Sequence, residues 1–166
     1  MSGAIPPDDP GVRALLRHVL ATLAYRAGKV LRDAPAAFGS FRAGEGGKTA
    51  VEILAHMGDL FDWALTMADG KAVWHDAVPL PWEGEVARFF AALGRFDARL
   101  ASGQPLAQPA PKIFQGPVAD ALTHTGQLAM LRRMSGAKMK GENYYRADIS
   151  AGRVGSDQAA PRVEFD

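Results

Sequence analysis

The chain of 166 residues contains no cysteine, which removes disulfides, thiolate nucleophiles and cysteine-based zinc or iron–sulfur sites together. Any metal must therefore be held by nitrogen and oxygen donors. Charge of one sign is also scarce in excess: 19 Lys plus Arg stand against 18 Asp plus Glu, a formal net charge of +1. Such a balance gives no field that would collect nucleic acid or an anionic membrane by itself, so neither is expected as a partner. No apolar run approaches the ~20 residues needed to span a bilayer. The first residues, Met1 to Asp9, lack the basic region and apolar core of a signal peptide. A cytoplasmic location is the expectation. Also missing are a nucleophile elbow and a Walker motif, since the glycines at 44, 46 and 47 are not followed by the Lys-Ser/Thr that a phosphate loop requires. No segment alternates β-branched or aromatic with polar residues as a half-buried strand would.

What is present is helical periodicity. Val12, Leu15, Leu16, Val19, Leu20, Leu23, Ala27, Val30 and Leu31 recur at steps of three and four, which predicts a helix over about 10–33. Asp9 caps it, Pro10 takes the first position and Pro35 stops it. A glycine-rich loop leads to Thr49-Ala50-Val51-Glu52, a capping box opening a second helix over 49–69 that Gly70 ends. Val86, Phe89, Phe90, Leu93, Phe96 and Leu100 set a third over 82–102. Gln104 to Lys112, with three prolines, reads as a connector, and Pro117 as the start of a fourth helix, 116–135. Residues 137–166 read as an irregular arm lying on the helices, anchored by Tyr144 and Tyr145. The expectation is a single all-α domain, a four-helix bundle with long connecting loops and this C-terminal arm.

At 100° per residue, His56 falls on the border of the apolar arc of the second helix, in one stripe with Glu52, Trp63 and Met67. On the fourth helix Asp120, one turn before His124, points the same way, with Gln127 beside them. Two ligands at i and i+4, with a third from a neighbouring helix, can converge on one ion and leave positions for water or substrate. His56, Asp120 and His124 form such a set. The same spacing also suits histidines and a carboxylate that only hydrogen-bond one another. His18 and His75 are weaker candidates, His75 because its loop can rim the cavity. Glu52 reads as a cap before a partner for His56, and Gln127 as a hydrogen-bonding partner of a ligand or substrate.

The segment Thr49-Ala50-Val51-Glu52-Ile53-Leu54-Ala55-His56 with Leu60 and Trp63-Ala64, followed by Thr123-His124-Thr125-Gly126-Gln127-Leu128 and Leu131-Arg132-Arg133, resembles the DinB/YfiT-like family of four-helix-bundle metalloenzymes over residues 10–136. The resemblance implies one divalent ion, nickel or zinc in most members, held by a histidine on the second helix and a His-x-x-x-His pair on the fourth. His56 and His124 match that pattern, and Asp120 stands where the family has histidine, which admits iron or manganese as well. It further implies a transferase that uses a thiol cofactor, or a hydrolase, acting on a small-molecule substrate. Without cysteine in the chain, the thiol would be a separate low-molecular-weight compound. Relatives of this type often form homodimers, and residues 12–31 could supply the contact. A binding bundle without catalysis and a structural module are the alternative readings.

Overall fold

The computed structural model describes residues 8–166. The stretch 1–7, part of the segment read above as lacking a signal peptide, lies outside the described residues. The chain is mainly helical. Four long helices, α1 (Pro10–Leu31), α2 (Ala50–Ala68), α3 (Trp82–Ala101) and α5 (Ala119–Met134), are joined by loops and by one short helix, α4 (Ala110–Ile113). Helix α1 begins where its cap dictates, with the Val12 amide donating to Asp9 Oδ1 at 2.9 Å and Pro10 at the first position. Its apolar stripe is Leu16, Leu20, Leu23, Ala27 and Val30, all buried. Helix α1 packs on α3 and α5, and α2 packs on the same two. Each helix thus buries its stripe in one shared core, where Phe61, Phe89 and Phe96 meet at centroid distances of 6.0 and 6.3 Å. Full burial of side chains of this size contributes roughly 1.5–3 kcal/mol each. Among the described residues no helix is long and apolar enough to cross a membrane.

The fourth helical segment departs from the sequence expectation. Helix starts at Ala110, within the stretch read as a connector, and Pro117 lies inside a wide π turn, Phe114–Val118, that runs straight into α5. A proline has no amide hydrogen and its ring crowds the carbonyl four residues back. The wider turn accommodates both defects without ending the helix.

The end of α1 is held by a side chain. Buried Arg132 donates from Nη1 to the carbonyls of Val30 at 2.6 Å and Arg32 at 2.7 Å, and from Nε to Ala137 at 3.2 Å. Carbonyls at a helix end have no partner within the helix, and a guanidinium supplies the missing donors. Burial pushes the Arg132 pKa down from its ordinary value, since the groups it meets are carbonyls.

Residues 137–166 lie along α1. Tyr25 donates to Glu142 Oε1 at 2.5 Å and Lys29 to Glu142 Oε2 at 2.8 Å, while Val154 is buried against the core. Where the sequence predicted no strand, the arm folds back as a two-stranded antiparallel ladder, β1 (Gly141–Glu142) with β2 (Glu164–Phe165). Two residues per strand are too few to show alternation, and tertiary contact with α1 holds them. None of the residues lining the cleft described next comes from this arm.

Candidate metal centre

The capping box at the start of α2 forms in full. The Glu52 amide donates to Thr49 Oγ1 at 3.3 Å, and Glu52 Oε2 accepts from the Thr49 amide at 2.7 Å and its hydroxyl at 2.8 Å. The backbone amide bond, first, and the hydroxyl bond hold the Glu52 carboxyl below its ordinary pKa. Glu52 is therefore committed to the cap and leaves His56, one turn on, to face α5.

Across from it, Asp120 and His124 project from the first turns of α5. His56 Nε2 lies 3.2 Å from Asp120 Oδ2, and His124 Nε2 lies 3.4 Å from Asp120 Oδ1. One donor atom from each of the three residues falls within 4.8 Å of the others. The structure thus brings together all three residues that the spacing singled out. The side chains are 25% exposed at His56, 46% at Asp120 and 18% at His124, so solvent reaches the cluster through the carboxylate.

The second nitrogen of His124 is engaged. Gln127 Oε1 sits 2.7 Å from His124 Nδ1. An amide oxygen only accepts, so Nδ1 carries the proton and Nε2 is turned toward Asp120. An unprotonated Nε2 facing a carboxylate oxygen is a repulsive contact unless a positive species stands between them or on the ring. The donor set suits a divalent cation. The two imidazoles approach opposite oxygens of the Asp120 carboxylate, and a set of one donor per residue falls within 4.8 Å, so small side-chain adjustments would bring it to the ~3.3 Å spacing of donors around a tetrahedral ion with bonds of ~2.05 Å. Three protein ligands of the type N, N and O would hold such an ion, with at least one position left for another group.

A cleft of about 400 Å³ adjoins the carboxylate, lined by Leu60, Trp63, Gln115, Gly116, Asp120 and Thr123 among others. On its α2 side Trp74 packs against the cluster, its ring 5.4 Å from that of His56 and 5.6 Å from that of Trp63. The loop carrying Trp74 is strapped at two points: Val73 donates to Thr66 Oγ1 at 3.0 Å, and Ala77 to Asp59 Oδ2 at 3.1 Å. Asp59 is itself fixed by Arg88 at 2.9 Å, and Arg88 also donates to buried Glu85 at 2.8 Å and to the Ala55 carbonyl at 2.5 Å. A Cβ at residue 58 would come within 2.9 Å of the Arg88 guanidinium carbon, so glycine there lets the arginine cross α2.

His75, whose loop the sequence offered as a rim of the cavity, is exposed and is not among the clustered donors, and from that loop it is Trp74 that packs on His56. His18 is exposed on α1 and is not among the clustered donors. Met67 packs partly buried on the core. Gln115, a further cleft residue, lies between the connector read over 104–112 and the helix read over 116–135, where the sequence carried no helical signal.

Searches against protein-family models, curated proteins and solved structures give no match for this chain.

Proposed function

We propose that the chain is a DinB-like four-helix bundle in which His56, Asp120 and His124 hold one divalent metal ion, and that it acts on a small molecule as a transferase using a thiol cofactor, or as a hydrolase. The observation that carries this reading is the contact between His124 Nε2 and Asp120 Oδ1 with Nδ1 already committed to Gln127, because a cation between them turns a repulsion into coordination. Nickel and zinc suit the two imidazoles, and the carboxylate extends the range toward iron and manganese. A bound ion supplies Lewis acidity, lowering the pKa of a thiol or water so that a nucleophile exists near neutral pH.

The chain's own residues do the rest. Gln127 fixes the His124 ring, Trp74 packs against both His56 and Trp63, and the cleft beside Asp120 gives a small molecule access. Elemental analysis and calorimetry on protein purified without a nickel column test the reading. About one equivalent of a first-row divalent ion is expected, and no binding of zinc, nickel, manganese or iron near neutral pH would overturn it.

One observation favours a second reading, a structural module: Asp120 Oδ2 is hydrogen-bonded to His56 Nε2, and a second proton on the His124 ring would make its 3.4 Å contact with Asp120 an ion pair, satisfying the trio without a metal ion. In that case Asp120→Ala would cost stability in metal-free protein. Under the metal reading the same substitution removes ion binding, with little loss of metal-free stability.

A further inference from the structure

The face of α5 roughly opposite His124 borders a second concavity. Between α1, α5 and the arm lies a groove of about 380 Å³, lined by Arg26, Leu122, Thr125, Arg133, Met139 and Tyr144 among others. It continues past Arg133 and Met139 into a wider hollow of about 650 Å³, which adds Lys138 and Lys140 and, as its acidic member, Asp166. Two properties coincide there. The floor is apolar and formed by Val30, Leu122, Ala129 and Met139, while the rim is cationic. Eight of the 19 basic residues are paired with carboxylates, and among the described residues that form no ion pair, Arg26, Arg133, Lys138 and Lys140 are gathered on this one concavity. Residues 1–7 contain no Asp or Glu that could serve them. Arg26 is instead held over the Tyr144 ring, 4.3 Å from its centroid, and Tyr144 packs edge-on against Tyr25 at 6.2 Å. Stacking of this kind fixes a guanidinium plane while leaving its donors unspent.

We propose that this groove binds a small organic carboxylate with an apolar body. The carboxylate sits against Arg26 and Arg133, where guanidinium groups match its geometry, and the hydrocarbon part lies on Leu122, Ala129 and Met139. The volume is that of a small-molecule pocket and too small for the extended contact a nucleic acid requires. Because the arm supplies Met139 and Tyr144, the site exists only with the arm docked on α1. It is separate from His56, Asp120 and His124 and does not depend on a metal there.

Calorimetric titration of the full chain with octanoate, 1-octanol and inorganic phosphate tests this, octanoate serving as the probe. Octanoate is expected to bind one to one, about tenfold or more tighter than the uncharged octanol or the plain anion, and to weaken as ionic strength rises about tenfold. The double substitution Arg26→Gln with Arg133→Gln, both at exposed positions, should reduce octanoate affinity at least about tenfold. Arg42→Gln, an exposed change in the loop before α2, should leave it unchanged. Equal affinity for octanol and octanoate, equal affinity for phosphate and octanoate, or an unaltered affinity in a folded double variant would each overturn the proposal. Should the double variant not fold, insensitivity of wild-type binding to salt would overturn it equally.

Discussion

His124 is gripped from one side only: Nδ1 meets Gln127 Oε1 at 2.7 Å, and Nε2 faces Asp120 at 3.4 Å. A partner of this sort sets both the tautomer and the plane of a ligating ring, and its loss typically costs about 10- to 100-fold in metal affinity. Gln127→Leu is therefore expected to weaken metal binding by that factor in a chelator-competition titration. His124→Ala should abolish it, with the far-ultraviolet circular dichroism spectrum little changed in either case. Full affinity in both variants would place the ion elsewhere.

Asp120 makes the cluster harder than an all-histidine one. Asp120→His should shift preference toward nickel and zinc over manganese and iron, because imidazole suits the former pair. Competition titrations on the two proteins measure this directly, and an unchanged order would show that Asp120 is not a ligand.

Removing the guanidinium that closes the end of α1 should be costly. Arg132→Met leaves the buried carbonyl of Val30 and the part-buried carbonyls of Arg32 and Ala137 without their donor, at about 1–3 kcal/mol for each unsatisfied group that water cannot reach. A loss of about 3 kcal/mol in denaturant unfolding is expected. A loss below roughly 0.5 kcal/mol, the range of ordinary surface changes, would show that water replaces the arginine.

Truncation after Gly136 removes Val154 and both partners of Tyr25 and Lys29 in the arm. The expected loss is about 2–4 kcal/mol, from the valine burial and the hydrogen bonds to Glu142 together, read as a lower melting temperature. An unchanged melting temperature and rapid proteolysis across 137–166 in the full chain would contradict the docked arm.

Acid should weaken the start of α2. The Glu52 carboxyl has a folded-state pKa below its unfolded value, so its contribution is present above the unfolded value and lost as pH falls through the folded one. Glu52→Gln is expected to flatten the acid limb of the stability–pH curve between those two values and leave the neutral and alkaline limbs parallel to wild type. Urea titrations at stepped pH check this.

The helical class and the three clustered residues were legible because both rest on periodicity. Apolar positions at three and four spell the buried stripes of α1, α2 and α3, and Thr49-x-x-Glu52 carries its own start signal. An i, i+4 pair needs no knowledge of the fold to be put on one face. What escaped has a common cause, in that tertiary contact overrode the local signal. Pro117 reads locally as a helix start, yet the packing of Ile113 and Val118 in the core carries helix across it through a wide turn. Trp74 and His75 are equivalent by sequence, and the straps at Thr66 and Asp59 decide which of them meets His56. The β1–β2 ladder is fixed by Glu142 pairing with α1 and carries no signal of its own.

The wide turn at Phe114–Val118 also acts as a phase shifter. Relative to an unbroken α-helix it accommodates one additional residue, and one residue is worth about 100° of rotation. Deleting a single residue there would give α5 a more regular backbone and could raise its helical stability. It would also swing Asp120 and His124 about a quarter-turn from His56 while moving apolar Leu122 and Leu128 out of register with the core. The alignment of the candidate ligands with α2 is thus encoded in a spacing rather than in the ligands themselves. A length change of one residue in this turn would disable the centre while leaving every donor in the chain.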